Sequence, residues 1–353
     1  MHTIYATKEI DALSRTLRID PVRLRRLRTA WFKKYLGRDA ALAELLPHER
    51  EAFATEVEFH SLQLESRHDS QLDAATKLIF RTPAGLLIES VILRIASGRT
   101  ALCLSSQVGC AAHCDFCATG KMGIARNLST AEILDQIVQA GEILRGEGRT
   151  LRNLVFMGMG EPLHNESNLH AALDLLHASH SFARSPRRTL VSTVGIPDAM
   201  QRLLTHAPDV SLALSLHSAR QSEREKIIPL AARYPLSQLR TTLERITAGS
   251  ERRVMIEYLM LAGVNDTPDD LDALITYLRD LPVHINLIPY NPIDGAPHLH
   301  GTPAPQRQAF ANALKSAGYP TTIRYSLGAD IAAACGQLVR DENREIARLA
   351  HLR

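Results

Sequence analysis

The chain has 353 residues, 45% of them hydrophobic and 22% charged, with a formal net charge of +3. That length buries a large core and holds one big domain or a big and a small one, and the ordinary apolar content excludes a disordered, collagenous or low-complexity chain. No apolar run reaches the length of a membrane span, and five cysteines, four of them between Cys103 and Cys117, argue for a reducing cytoplasm rather than a disulfide framework.

The first residues carry Lys8, Glu9 and Asp11 where a signal peptide needs an apolar run. Residues 1–57 read as helices of a small accessory domain, with Leu24, Leu27, Trp31 and Tyr35 at helical spacing and Pro21 at a helix start. Nine cations, Arg15, Arg18, Arg23, Arg25, Arg26, Arg28, Lys33, Lys34 and Arg38, stand there against one acid, Asp20. Such a stripe is the footprint of RNA phosphate contact, or else a solvated helix face. Residues 58–99 turn to alternation and β-branched residues split by Pro83-Ala84-Gly85, which predicts a short β extension.

From 100 to 340 strands and helices alternate, the mark of parallel βα units in an α/β fold. Strands are predicted at 101–105, 154–159, 189–193, 211–217, 254–261 and 284–289. Six are too few for a closed eight-stranded barrel, so a partial (β/α)6 barrel is expected, with residues 341–353 as a tail. Ser129-Thr-Ala-Glu132 predicts a capping box at one helix start. In such barrels chemistry gathers where strands end. The polar motifs fall there: Gly158-Met-Gly160-Glu161, Ser192-Thr193, Ser215-Leu216-His217 and Asn291. His217 alone would more often be a satisfied structural histidine.

The loop after the first strand carries Cys110, Cys114 and Cys117, spaced C-x3-C-x2-C. Three thiolates on one iron-sulfur cluster leave one iron open to a substrate or cofactor. The competing readings are a structural zinc closed by His113 or Cys103, and three inert core cysteines. Cys335, among alanines, reads by itself as a small buried hydrophobe.

With Phe116 before the last cysteine, this loop resembles the radical S-adenosylmethionine (SAM) signature. SSQVGC (105–110), FMGMGEP (156–162), STVGIP (192–197), LALSLH (212–217), NLIPYNP (286–292) and the run from Gly328 to Leu338 resemble, more narrowly, the RlmN/Cfr family of radical SAM RNA methyltransferases. The resemblance covers nearly the whole chain from about Leu24 to Leu338. It implies a radical SAM barrel and a 4Fe-4S cluster on Cys110, Cys114 and Cys117. It also implies S-adenosyl-L-methionine held by Gly160, Glu161, Ser192, Ser215, Leu216, His217 and Asn291. In the family the cysteine matched by Cys335 carries the methyl group, Cys103 matches the thiol that releases product as a disulfide, and Glu89 matches the proton acceptor.

The implied substrate is an adenine ring carbon, C2 or C8, of 23S rRNA, with tRNA a further candidate and flavodoxin or ferredoxin as electron donor. Ser185-Pro-Arg-Arg188 and Leu314-Lys-Ser-Ala-Gly318 resemble the C8-methylating Cfr branch more closely. Ala231 stands where the family has an asparagine, which removes an amide. The rival readings are a radical SAM enzyme acting on a peptide or small molecule, and a zinc protein that binds RNA without catalysis.

Overall fold

The computed structural model describes residues 1–123, 126–249, 252–338, 342–343 and 345–346, so the tail expected over 341–353 falls largely outside them. The chain starts with four α-helices, α1 (Thr7–Thr16), α2 (Pro21–Arg28), α3 (Arg38–Leu42) and α4 (Pro47–Glu56), with a π-helical turn over Thr29–Lys33 after α2. Asp20, the single acid of the basic run, caps α2: its Oδ1 accepts from the Val22 N–H at 2.7 Å, and Pro21 fills the first helical position. Two of the nine cations hold this region together. Arg28 is buried, pairs with Asp11 at 2.9 Å and donates to the Thr7 carbonyl, while Arg23 reaches the buried Glu49 at 3.4 Å. Arg15, Arg18, Arg25, Arg26 and Lys34 stay exposed.

The remainder is built on one sheet. Three antiparallel strands come first, β1 (Gln63–Asp69), β2 (Ala75–Arg81) and β3 (Leu87–Arg94). Seven parallel strands follow: β4 (Thr100–Cys103), β5 (Asn153–Phe156), β6 (Thr189–Thr193), β7 (Ser211–Ser215), β8 (Val254–Met260), β9 (Val283–Pro289) and β10 (Thr321–Ile323). Every strand lies beside its sequence neighbour, from β10 at one edge to β1 at the other, so the sheet is an open arc. The architecture is therefore the expected α/β class with an unclosed barrel, but it differs in two ways. Strand β10 adds a seventh parallel strand, too short at three residues to give a readable pattern. The β extension is also not a separate sheet: β3 pairs antiparallel with β4, placing Val91 opposite Cys103.

The parallel strands read as near-continuous apolar runs because both of their faces are covered. Helix α5 (Thr130–Gly146) packs Ile133, Ile137, Ala140 and Leu144 into the core, starting at the predicted capping box, in which Ser129 N donates to Glu132 at 2.7 Å. Asp135 on α5, fully buried, fastens the amino-terminal region to the barrel. Its carboxylate accepts from the Tyr5 hydroxyl (2.7 Å), the Leu62 N–H (2.8 Å) and the Gln139 amide (2.9 Å), and meets His60 Nδ1 at 3.0 Å. Trp31 packs edge-on to Phe59 at 5.0 Å, continuing one core from the helices into the sheet.

After β10 the chain crosses from that edge of the sheet to the antiparallel extension. Gly328 N donates to Asp73 at 2.7 Å, and Asp330 accepts from the Ser70 hydroxyl (2.7 Å) and the Gln71 N–H (2.8 Å). Among the described residues no helix is long and apolar enough to cross a membrane.

Candidate active site

Strand β4 delivers the chain to residues 104–107, which lie under the loop that follows β5. The backbones interlock: Gly158 N donates to Leu104 O at 2.9 Å, Ser106 N and Gln107 N donate to Met159 O, and Glu161 N donates to Gln107 Oε1 at 2.8 Å. A Cβ on Gly158 would stand 2.5 Å from Leu104 O, and one on Gly160, at φ +102°, would stand 2.5 Å from Gln107 Cβ. These glycines are thus required by protein backbone as well as open to a ligand, which the motif did not reveal.

The cysteine loop follows. Cys110, Cys114 and Cys117 line one cavity with Phe116, Gly160, Glu161, Ser192, Ser215, His217, Glu257 and Cys335. Burial pushes the Cys110 thiol up to about 12, with Cys117 and Glu161 adding to it, and Cys114 is raised by burial and then by Cys117 and Cys110. Free Cys110 and Cys114 thiols that resist ionisation would discharge on a cationic cluster, and with Cys117 in the same cavity these residues fit the 4Fe-4S group. Zinc fits less well. Of the two candidate fourth ligands, His113 faces the Gly120 carbonyl at 3.2 Å, and Cys103 lines a different cavity from the other three cysteines.

Glu161 is buried and raised to about 6 by that burial, against the Val194 and Leu163 N–H groups that its two oxygens accept at 2.8 and 3.0 Å. His217 is pushed down to about 3, first by burial and then by Arg224, so it is neutral. Its Nδ1 accepts the Leu259 N–H at 3.0 Å, which leaves the Nε2 proton as a donor, and its ring meets Phe116 edge-on at 4.8 Å. Ser192 and Ser215 hydroxyls lie 3.4 Å apart in the same wall. Leu216 does not line this cavity; its side chain is fully buried and its carbonyl accepts from Arg224 Nε at 3.0 Å. Asn291 is not among the lining residues either. Its amide donates to Ser326 Oγ at 3.1 Å and to the Cys335 carbonyl at 3.0 Å, holding the Cys335 loop. Ala231, at the position lacking the amide, is buried with its carbonyl accepting from Gln221.

A second cavity lies in the barrel interior, and its lining includes Val91, Cys103, Asn286, Ser326 and Cys335. Met157, Arg324 and Cys335 line both cavities and form the wall between them. Cys103 is pushed up to about 12 by burial and by Cys335, with Arg324 opposing. Cys335 is raised by burial, again with Arg324 opposing. Arg324 donates to Met157 Sδ at 3.1 Å and stands 3.7 Å from Glu257. Burial pulls its guanidinium down, but Cys335, Glu257 and Cys103 outweigh that and hold it raised. Neither Arg324 nor Glu257 was singled out in the sequence. The available signal was a charged residue inside an apolar strand run, Glu257 between Ile256 and Tyr258.

Glu89 is fully buried, 3.7 Å from Lys77 Nζ, and on the same face of β3 as Val91 and Leu93. It is therefore a diagonal neighbour of Cys103 across the β3–β4 pair, although it lines neither cavity. All five cysteines are free, so the expected disulfide is no part of this fold. A disulfide formed in a release step belongs to a product state rather than to the resting chain.

A cysteine triad opening the first βα loop of an unclosed parallel barrel defines a radical SAM enzyme, and residues 104–278 match the radical SAM superfamily model. A crystal structure of a radical SAM methyltransferase from Sphaerobacter thermophilus superposes with a TM-score of 0.90 at 35% identity, covering 96% of this chain and 99% of that one. A probable RNA methyltransferase from Rhodopirellula baltica is 57% identical over 347 residues, 98% of this chain and 90% of that protein. A probable dual-specificity RNA methyltransferase RlmN from Thermus thermophilus is 44% identical over 289 residues, 82% of this chain and 81% of its own. The chain belongs to the RlmN/Cfr family of radical SAM methyltransferases. The matches do not separate the two branches, so the leaning toward the Cfr-like branch gains nothing from them.

Proposed function

We propose that this enzyme methylates an adenine ring carbon of 23S rRNA, using two SAM molecules and a methyl group carried on Cys335. The observation that carries the reading is the shared wall: Cys335 borders the cavity of the three cluster thiols on one side and the cavity of Cys103 on the other. When bound, the 4Fe-4S cluster supplies the electron that cleaves SAM reductively and yields the deoxyadenosyl radical. Gly160, Glu161, Ser192, Ser215 and His217 offer a carboxylate, hydroxyls and a neutral imidazole N–H to SAM.

An adenine ring carbon is electrophilic, so direct transfer of a sulfonium methyl would pair two electrophiles. Cys335 resolves this. Its thiolate, favoured by Arg324, first takes a methyl group from one SAM; loss of a hydrogen atom from that S-methyl leaves a sulfur-bound carbon radical that adds to the ring. Glu89 is the proposed acceptor of the ring proton, and its buried carboxylate beside Lys77 suits a proton acceptor. Cys103 then attacks the Cys335 sulfur, forming a disulfide and breaking the carbon–sulfur bond; the freed methylene would take up a proton to become the methyl group, and the odd electron left by radical addition would pass to the cluster, when bound. The reading carries with it RNA bound by the exposed cations of α1 and α2, flavodoxin or ferredoxin as electron source, and a cytoplasmic setting.

Mass spectrometry of 23S rRNA and tRNA from a host expressing the chain tests this. A methyladenosine absent from the host and absent with Cys335→Ala is expected, and its fragmentation assigns C2 or C8. Unchanged RNA with an intact cluster would refute the proposal.

A further inference from the structure

We propose that Tyr325 is a stacking platform for the RNA base adjacent to the target adenine, at the mouth of the cavity that holds Cys103 and Cys335. The proposal rests on the RNA reading above and deepens it. Among the described residues Tyr325 is the only Phe, Trp or Tyr side chain in the exposed class, at 66% exposure. Its place is specific: it lines the second cavity with Cys103, Ser326 and Cys335, and it directly follows Arg324 in the wall between the two cavities.

One face of the ring is already backed. The Arg307 guanidinium lies 5.8 Å from the ring centroid, and Arg307 is itself buried and fixed by donating to the Thr302 carbonyl at 2.7 Å. A cation anchored in the protein thus holds the ring from one side and leaves the other face to solvent. A buried partner would have hidden this ring, and a polar residue would have been better solvated. An enzyme that draws one base out of a stack leaves the next base without its neighbour, and an aromatic face replaces that contact whatever the base.

The test uses cluster-loaded protein under anaerobic conditions and a hairpin transcript carrying the adenosine identified by mass spectrometry, with 2-aminopurine at each flanking position in turn. Wild-type protein should bind the hairpin and quench the probe at one flank. Tyr325→Ala should weaken binding by roughly 5- to 150-fold, the range for losing one base–aromatic stack, and should lift the quench. Tyr325→Phe should keep both. Thermal unfolding of the three proteins checks that each is folded. Tyr325→Ala that binds and quenches like wild type overturns the platform alone. Loss in Tyr325→Phe equal to that in Tyr325→Ala overturns stacking in favour of the hydroxyl. Failure of the wild-type protein to bind the hairpin overturns the RNA reading and the platform with it.

Discussion

Asp135→Ala tests what fastens the amino-terminal helices to the barrel. The change strands three neutral donors in a fully buried place, the Tyr5 hydroxyl, the Leu62 N–H and the Gln139 amide, and removes the partner of His60. Each stranded donor costs about 1–3 kcal/mol, and with partial relaxation around the smaller side chain a loss of about 4 kcal/mol is expected. The loss should be local, because the donors lie in Tyr5, the 60–62 segment and α5. Hydrogen exchange followed by mass spectrometry resolves it: 4 kcal/mol is about a thousandfold faster exchange through local opening in peptides spanning Tyr5 and Leu62, with the strands β5 to β9 unchanged. Asp135→Asn, which keeps an acceptor, should fall between. Protection within about threefold of wild type in those peptides would show that the carboxylate does not hold the two parts together.

The same site gives a pH dependence. Burial pulls His60 down, but its hydrogen bond to Asp135 and the charges of Asp135 and Glu142 outweigh this and leave it raised. A raised folded value means its contribution is fully present below the unfolded value of about 6.5 and is lost as pH rises through the higher folded one. Wild type should therefore lose stability relative to His60→Gln between mildly acidic and alkaline pH, as read by urea unfolding at each pH. Gly160→Ala should destabilise by about 2–6 kcal/mol, from a left-handed backbone and a Cβ crowding Gln107, and a shifted urea midpoint would report it. Cys114→Ala should abolish retention of iron after reconstitution, measured by iron analysis and absorbance. Reversing Arg25 and Arg26 to Glu should weaken RNA binding and reduce the magnitude of its log–log salt slope by about 1.5, and an unchanged slope would return α2 to a plain solvated face.

The strands carrying the motifs were legible because buried parallel strands are apolar runs ended by polar residues, and β6, with Ser192 near its end, is an instance. The capping box was legible for the same local reason. What escaped the sequence is what depends on distant pairing. Strand β10 has three residues and no run of its own; it exists because β9 offers an edge. Asn291 looks like any polar residue at a strand end, yet its amide is committed to the Cys335 carbonyl, a contact spanning 44 positions. Arg28 sits in a basic run but is buried, because Asp11 and the Thr7 carbonyl lie one helix away. Arg324 has no motif, and only the meeting of β8, β10 and the Cys335 loop surrounds it with Glu257 and two thiols.

The segment from Gly328 to Leu338 is tied at one end to the turn between β1 and β2 and at the other to the cysteine loop, where Ala118 N donates to Gly336 O at 2.7 Å and Thr119 Oγ1 to Leu338 O at 2.5 Å. During synthesis this segment emerges after every other part of the catalytic core. Without this segment the wall between the two cavities would keep Met157 and Arg324 but lack Cys335. A chain lacking this segment would keep Cys110, Cys114 and Cys117 but not Cys335, the sulfur proposed to receive the methyl group. Docking of this one segment thus sets Cys335 in the wall that both cavities share.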